Sequence, residues 1–453
     1  MQKFRALAIV LVIALVLTGA VVAQDQNLVE LIAGDPDLST LASLVEAAGL
    51  ADTLSNEGPF TVFAPTNDAF AALPDFVVEY LTSNPEVLTS VLTYHVVPGA
   101  AMTRDQAVSG PVTSMNGAAI TLTAEDADLL VDQARVITAD KAASNGVVHT
   151  IDSVIIPPIA LPEVLAADVT GDIANAGSST VFPVSQFIAA EFAAEGYTGE
   201  ITVDSIGTGA GYERFCAAES PSDIANASRA IRQSEIDACA ANNNRVPVEF
   251  RIGDDGLSVV VNPANDWAGD LTLAELALAF STAVTWADVR PGFPECEIVR
   301  YSPGTDSGTF DFFTEVVFEE DTAPILAAGQ LNLNEDDNVL LDGVAANECA
   351  IGYFGYAYYV QNTDRVKLVA VDGVAPTAES VASGAYVLAR PLFIYTAADV
   401  LAEKPHVGQY LLYTLSRMPD AIAATGYFPA NPYAFNTAKL VAVALVHTAS
   451  SSN

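Results

Sequence analysis

Positive charge is scarce in this chain of 453 residues. Lys and Arg together number 18 against 56 Asp and Glu, for a formal net charge of −38. That balance excludes nucleic acid and anionic lipid as partners, because the long-range electrostatic contribution has the wrong sign. Histidine is also rare. Beyond residue 160 there are only His406 and His447, so no Ser-His-Asp or His-based metal constellation is legible and no enzyme is expected. The four cysteines are Cys216, Cys239, Cys296 and Cys349, widely spaced and without neighbouring His, which argues against a metal site. No cofactor is expected. Charged residues make up 16% of the chain and hydrophobic residues 51%, so it is globular rather than disordered, and its length suits two or three domains.

Long apolar runs are nearly missing too. The one at the start follows Lys3 and Arg5, covers 6–17, and precedes the small-residue signature VVA at 21–23. It reads as a secretory signal peptide, residues 1–23, cut after Ala23; a retained anchor is the alternative, since the run is marginal for a membrane span. LTGA at 17–20 looks like a lipoprotein signal, but no Cys follows it. The run at 440–446 is too short to span and reads as a terminal strand or helix. The chain is therefore expected to be exported, to a periplasm, a cell surface or the extracellular space. An even number of cysteines in an exported chain implies two disulfides. Sequence leaves three pairings open, of which Cys216–Cys239 with Cys296–Cys349 is favoured.

What is present is a repeated loop design. SPGTDSGT at 302–309 runs straight into the amphipathic FDFFTEVV at 310–317. A Gly/Ser/Thr loop opening a helix offers free N–H groups and the positive end of the helix dipole, and Gly308 lets an anion approach the backbone. An ordinary capped helix start reads the same way. The design recurs, however: GSSTVFP at 177–183 and GTGAG at 207–211 each lead into a helical pattern. Three such loops converging would cage one oxyanion with N–H and O–H donors and little need for lysine.

Taken in order, residues 27–50 carry apolar residues at three-to-four spacing, which predicts amphipathic helices. GPFTVFAPTNDAF at 58–70 predicts a short buried strand at 60–63 and a turn that caps a helix. Residues 91–97 are strand-like, and NGVVHTIDSVII at 145–156 opens on a Gly turn and ends at Pro157 and Pro158. The boxes at 58–73 and 145–156 and the pair Tyr94 and His95 resemble the two characteristic boxes and central Tyr-His of the fasciclin domain. The resemblance covers about 25–157 and implies a mixed helix and β-wedge fold that binds a matrix protein or glycan. His95 and His149 read as packed core histidines with satisfied ring nitrogens, and Asp68 as a cap.

A short connector over 159–168 follows. Strand and helix patterns then alternate, with strands at 200–206, 223–231, 257–262 and 298–302, which implies an α/β fold of buried, mostly parallel strands with ligands at their C-terminal ends. The stretches 177–183, 205–211, 223–231, 255–265, 304–313, 351–359 and 384–395 resemble, in that order, the phosphate-binding proteins of phosphate ABC importers. The resemblance implies a two-lobed periplasmic-binding-protein (type II) fold over 169–453. Its crossover strands are expected near 259–262 and 386–392, and its lobes close on inorganic phosphate. Carried over by position, the ligand set is Ser179, Thr180, Val181 and Phe182 in the first loop, Thr208 in the second, and Ser307, Gly308 and Thr309 in the third. Two departures matter. Ser228 and Arg229 stand where relatives carry an Asp, and no Arg precedes the Ser-Gly-Thr. Arg229 is therefore expected to supply the guanidinium, or else to be a surface ion-pair partner. Asp306, or less directly Asp255, substitutes for the missing carboxylate, and Asp306 as a helix cap is equally open. Tyr353, Tyr356, Tyr358 and Tyr359 read as core and strand packing.

The expectation is an exported phosphate-capture protein serving an ABC permease, its fasciclin domain (24–158) holding it at a surface or matrix. The alternative is an adhesion protein whose phosphate-type domain is structural or a sensor.

Overall fold

The computed structural model describes residues 26–125, 128–305, 307–334 and 336–451; the leader expected over 1–23 and Asp306 lie outside the described residues. The chain divides into two compact units, Met1–Phe70 with Leu92–Val154, and Ala71–Val91 with Ile155–Asn453.

In the first unit, α1 (Leu28–Ala33), α2 (Ser39–Ala47) and α3 (Ala51–Asn56) bury Leu28, Ile32, Leu41, Leu44, Val45 and Leu54, the stripe their spacing predicts. A capping box between Asn27 and Glu30 starts α1. The seven strands are β1 (Phe60–Pro65), β2 (Val96–Pro98), β3 (Gly110–Thr113), β4 (Ala119–Glu125), β5 (Asp128–Val131), β6 (Ala134–Ala143) and β7 (Gly146–Ile151). They run in the order β2-β1-β7-β6-β5-β4-β3. β1 and β7 pair in parallel from Phe60 opposite Gly146 to Pro65 opposite Ile151, so the two sequence boxes lie side by side, and both strands are buried throughout. Gly146 is required there: a Cβ would stand 2.4 Å from the Phe60 carbonyl oxygen. His149 is buried, with Nε2 2.8 Å from the Met102 carbonyl and Nδ1 accepting from the Asp140 N–H at 3.3 Å. The acceptor role of Nδ1 places the ring proton on Nε2, a satisfied core histidine.

The helices between β1 and β2 are α4 (Asn67–Ala71), α5 (Asp75–Ser83) and α6 (Pro85–Tyr94). The strand expected over 91–97 is thereby corrected. Residues up to Tyr94 are helical, because Leu88, Val91 and Leu92 recur at helical spacing and are buried, and only Val96–Pro98 pairs with β1.

In the second unit, β8 (Ile173–Gly177), α7 (Phe182–Ala194), β9 (Ile201–Ser205), α8 (Thr208–Phe215), β10 (Ile224–Ala227) and α9 (Gln233–Asn243) alternate up to the long β11 (Val248–Val261). β12 (Asp270–Leu271), α10 (Leu273–Ala279), α11 (Trp286–Val289), β13 (Val299–Ser302), α12 (Gly308–Phe318), β14 (Leu331–Leu333), β15 (Ala350–Gly355), β16 (Lys367–Leu368) and β17 (Ala370–Val371) follow. β18 (Ala389–Thr396) then returns, with β19 (Phe428–Pro429) beyond it. The main path is β14-β13-β15-β11-β18-β10-β8-β9.

β9, β8 and β10 are parallel and form one lobe's sheet; β14, β13 and β15 are parallel and form the other's. Between them β11 pairs antiparallel with β18 as far as Gly256, then antiparallel with β15 from Leu257 onward. The expectation of mostly parallel strands therefore holds inside each lobe and fails at the centre, where β11 and β18 connect the lobes. The partner exchange of β11 falls at Gly256 and Leu257, earlier than the 259–262 expected. Gly253 and Gly256 permit it, since a Cβ would sit 2.6 Å from Ile422 Cδ1 or 2.8 Å from the Phe428 ring.

Stacked Phe313 and Tyr353 (3.8 Å between centroids), Phe280 and the fully buried Trp286 form the core of the second lobe. Disulfides join Cys216 to Cys239 and Cys296 to Cys349, the pairing favoured above. The first ties the end of α8 to α9, and the second ties the approaches to β13 and β15. The run at 440–446 lies within a helix, Pro432–Ser451.

Candidate functional site

Two of the three loops meet. β8 ends at Gly177, and Ser178 to Val181 turn the chain into α7; the Phe182 N–H closes the turn on the Ser178 carbonyl at 3.1 Å. Across from it, Ser307 caps α12, its Oγ accepting from the Thr309 N–H at 3.2 Å. The loops touch at Gly308. A Cβ there would stand 2.5 Å from Ser179 Oγ and 3.2 Å from Thr180 Oγ1, so only glycine fits without displacing a hydroxyl. Ser179, Thr180, Ser307, Gly308 and Thr309 line one cleft of about 500 Å3. Asp255, Asp337, Tyr358, Gln361, Thr425 and Tyr427 line it as well.

Arg390 stands against the two loops of this cleft. On β18 it stands opposite Asp255 on β11, and its Nε is 3.3 Å from Asp255 Oδ2. Its Nη2 donates to Thr180 Oγ1 and, at 3.1 Å, to the Gly308 carbonyl, so one guanidinium touches both loops. The face of Phe312 lies 4.5 Å from that guanidinium. Arg390 is 8% exposed and Asp255 3%, so the pair is desolvated and neither charge has water to fall back on. Burial pushes the Asp255 carboxyl above the usual carboxylate range, against the pull of Arg390. Tyr427 donates to the Thr180 carbonyl at 2.8 Å and so holds the first loop from behind.

The second loop does not join this cleft. Thr208 Oγ1 and Ser228 Oγ are 3.1 Å apart, and the Ser228 N–H donates to Thr208 Oγ1 at 3.1 Å, so these two hydroxyls serve each other. Arg229 donates to both Glu235 oxygens, at 2.9 and 2.7 Å, and to the Ala230 carbonyl, and it packs 5.3 Å from the Tyr212 ring centroid. The Glu235 carboxylate holds its pKa above the usual arginine value. The geometry is that of an ion-pair partner; the guanidinium expected from Arg229 at the third loop is placed there by Arg390. Val181 is buried at the N-cap of α7, and Phe182 is half-buried in its first turn. Tyr353 is core, whereas Tyr358 faces the cleft. Among the described residues no cluster of His, Cys, Asp or Glu could hold a metal ion, and no helix is long and apolar enough to cross a membrane.

Arg390 and Tyr427 were not singled out in the sequence. A signal for Arg390 exists: a lone arginine inside the apolar strand ARPLFIYT at 389–396 implies a buried partner, and the acidic pair Asp254 and Asp255 interrupts the apolar β11.

Both parts of the chain resemble known proteins. A fasciclin-domain family model matches residues 36–157, and a PBP superfamily domain model matches residues 164–417. Protein SphX of Synechocystis is 38% identical over 278 residues, 59% of this chain and 81% of that protein. Phosphate-binding protein PstS of Staphylococcus saprophyticus is 34% identical over 278 residues, 60% of this chain and 84% of that protein. A solved structure of a possible phosphate binding protein from Planctomyces limnophilus is 37% identical, with a TM-score of 0.54, and the match covers 61% of this chain and 99% of that one. The chain therefore belongs to the PBP superfamily, with its two-lobed binding fold preceded in the same polypeptide by a fasciclin domain.

Proposed function

We propose that this is an exported binding protein that captures inorganic phosphate between its lobes and delivers it to an ABC permease. One observation carries the reading: the guanidinium of Arg390, paired with Asp255, bridges the Thr180 loop and the start of α12 in a single cleft. Two helix N-termini, three hydroxyl side chains and a buried arginine are the donor set that a dehydrated oxyanion needs. Phosphate would enter as a partner for the Arg390 fork and the hydroxyls of Ser179, Ser307 and Thr309. The lobes, joined through β11 and β18, would close on it by a hinge motion.

Asp255 supplies selectivity in this account. Hydrogen phosphate carries a proton that a carboxylate can accept, and sulfate carries none, so sulfate would meet a buried negative charge. The fasciclin domain would hold the protein to a matrix protein or glycan at the cell surface. Equilibrium dialysis against phosphate and sulfate, after unfolding and refolding to strip ligand, tests the reading. One phosphate bound per chain with sulfate excluded supports it, and binding of neither anion overturns it.

A further inference from the structure

The two lobes also meet in a charge pair apart from the residues that line the cleft. Arg232, at the N-cap of α9 in the first lobe, has Nη2 3.7 Å from Oε1 of Glu320, two residues beyond α12 of the second. Backbone contacts fix both ends. The Arg232 N–H donates to Glu235 Oε2 at 2.8 Å, and the Glu320 N–H donates to the Thr314 carbonyl at 3.2 Å. Glu319 and Glu320 both take left-handed backbone, with φ of 53° and 70°. Glycine adopts that conformation more easily, yet position 320 carries the side chain that reaches the other lobe. Arg229 adds a second attraction of the same sign. Glu235 holds its pKa up most strongly, and Glu315 on α12 acts on it as well. Of only 18 Lys and Arg in the chain, two are thus drawn to carboxylates across the lobe boundary.

We propose that Arg232 and Glu320 form an electrostatic latch that favours the closed arrangement of the lobes. β11 and β18 join the lobes, α9 belongs to one and α12 to the other. Rigid-body opening about those strands that parts Gly308 from Ser179 would part Arg232 from Glu320 as well. The pair forms in the same arrangement in which Gly308 lies against Ser179, so latch and anion loops close together. The Arg232 and Glu320 side chains are 59% and 70% exposed, and their separation exceeds that of a hydrogen bond. The pull is therefore Coulombic, modest and screened by salt. Its effect on affinity rests on the phosphate reading above, because a ligand that binds the closed lobes is weakened in proportion to the closed fraction lost.

The test compares the full chain with Arg232→Glu, Glu320→Arg and the exchange that carries both. Pulsed electron resonance on ligand-free protein, with spin labels on Val246→Cys and Val284→Cys, reads the lobe separation; both positions are exposed, one in each lobe. At about 10 mM ionic strength a short-distance population should be present in the parent, depleted in either single reversal and regained in the exchange. Phosphate affinity should fall about threefold in each single reversal and return to within about twofold in the exchange. Distances and affinities that do not respond to the reversals, or that the exchange fails to restore, overturn the latch. Absence of phosphate binding in all four chains overturns the phosphate reading instead, and the distances then decide the latch by themselves.

Discussion

Arg390 and Asp255 are register partners on the two antiparallel strands that join the lobes, with Nε 3.3 Å from Oδ2. The pair lies on the strands about which the lobes would move, and its arginine bridges the loops that would close. Arg390→Met leaves Asp255 buried and alone, which should cost about 3–5 kcal/mol of stability and abolish phosphate binding. Arg390→Lys keeps the charge but loses the fork, so affinity should fall about a hundredfold with a smaller loss of stability. Urea melts and phosphate titration of both variants check this.

Gly308→Ala separates geometry from charge. Its methyl group would meet Ser179 Oγ at 2.5 Å, and that hydroxyl can swing aside cheaply. Phosphate affinity should therefore fall about tenfold, the value of one hydroxyl hydrogen bond to a charged group, while the melting temperature stays within a few degrees. An unchanged affinity would mean that Ser179 does not face the ligand.

The contrast between Arg229 and Arg390 shows what the sequence made legible. The helix-opening loops, the parallel strands inside each lobe and the paired β1 and β7 boxes all follow from local pattern, because glycine, hydroxyl and apolar residues report on their own backbone. The partner of a guanidinium does not. Arg229 follows a strand and precedes Glu235 by six residues, so the two pair locally. Arg390 meets Asp255 across 135 residues of sequence, a contact set only by the register of β11 on β18. Residues 91–94 are helical rather than extended for a related reason: Val91 and Val97 favour strand locally, and helical burial of Leu88, Val91 and Leu92 overrides that preference.

Acid pH should weaken each unit through a different group. Burial lowers the pKa of His149 from its ordinary 6.5, so the unfolded chain binds the proton more readily and stability falls as pH drops below about 6.5. In the second unit, hydrogen bonds from Arg290 hold Glu275 at about 2, well below the ordinary 4.5. Its stabilisation is complete above about 4.5 and is lost as pH falls towards 2. Amide protection factors in β7, taken relative to the intrinsic exchange rate at each pH, should therefore fall between pH 7 and 5, and Glu275→Gln should remove part of the acid sensitivity of α10 below pH 4.5. Equal protection factors in β7 at pH 7 and 5 would contradict the first expectation.

Arg300 is 1% exposed and donates to the carbonyls of Ala279 (2.5 Å), Gly329 (2.6 Å), Ile298 (3.2 Å) and Ala283. It fastens the end of α10 and the segment before β14 to β13, the strand that leads to Ser307. Arg300→Met should leave these buried acceptors unpaired and destabilise the second lobe by roughly 3–5 kcal/mol. A urea melt that shifts by less than about 1 kcal/mol would contradict that role.

The central claim is that Arg390, rather than Arg229, holds the anion. Calorimetric titration of the stripped full chain with phosphate, run on Arg390→Ala and Arg229→Ala side by side, tests it most directly. The account predicts that binding is lost in Arg390→Ala and stays within about threefold in Arg229→Ala, whose cost appears as lost stability around α9. Binding retained in Arg390→Ala and lost in Arg229→Ala would contradict it.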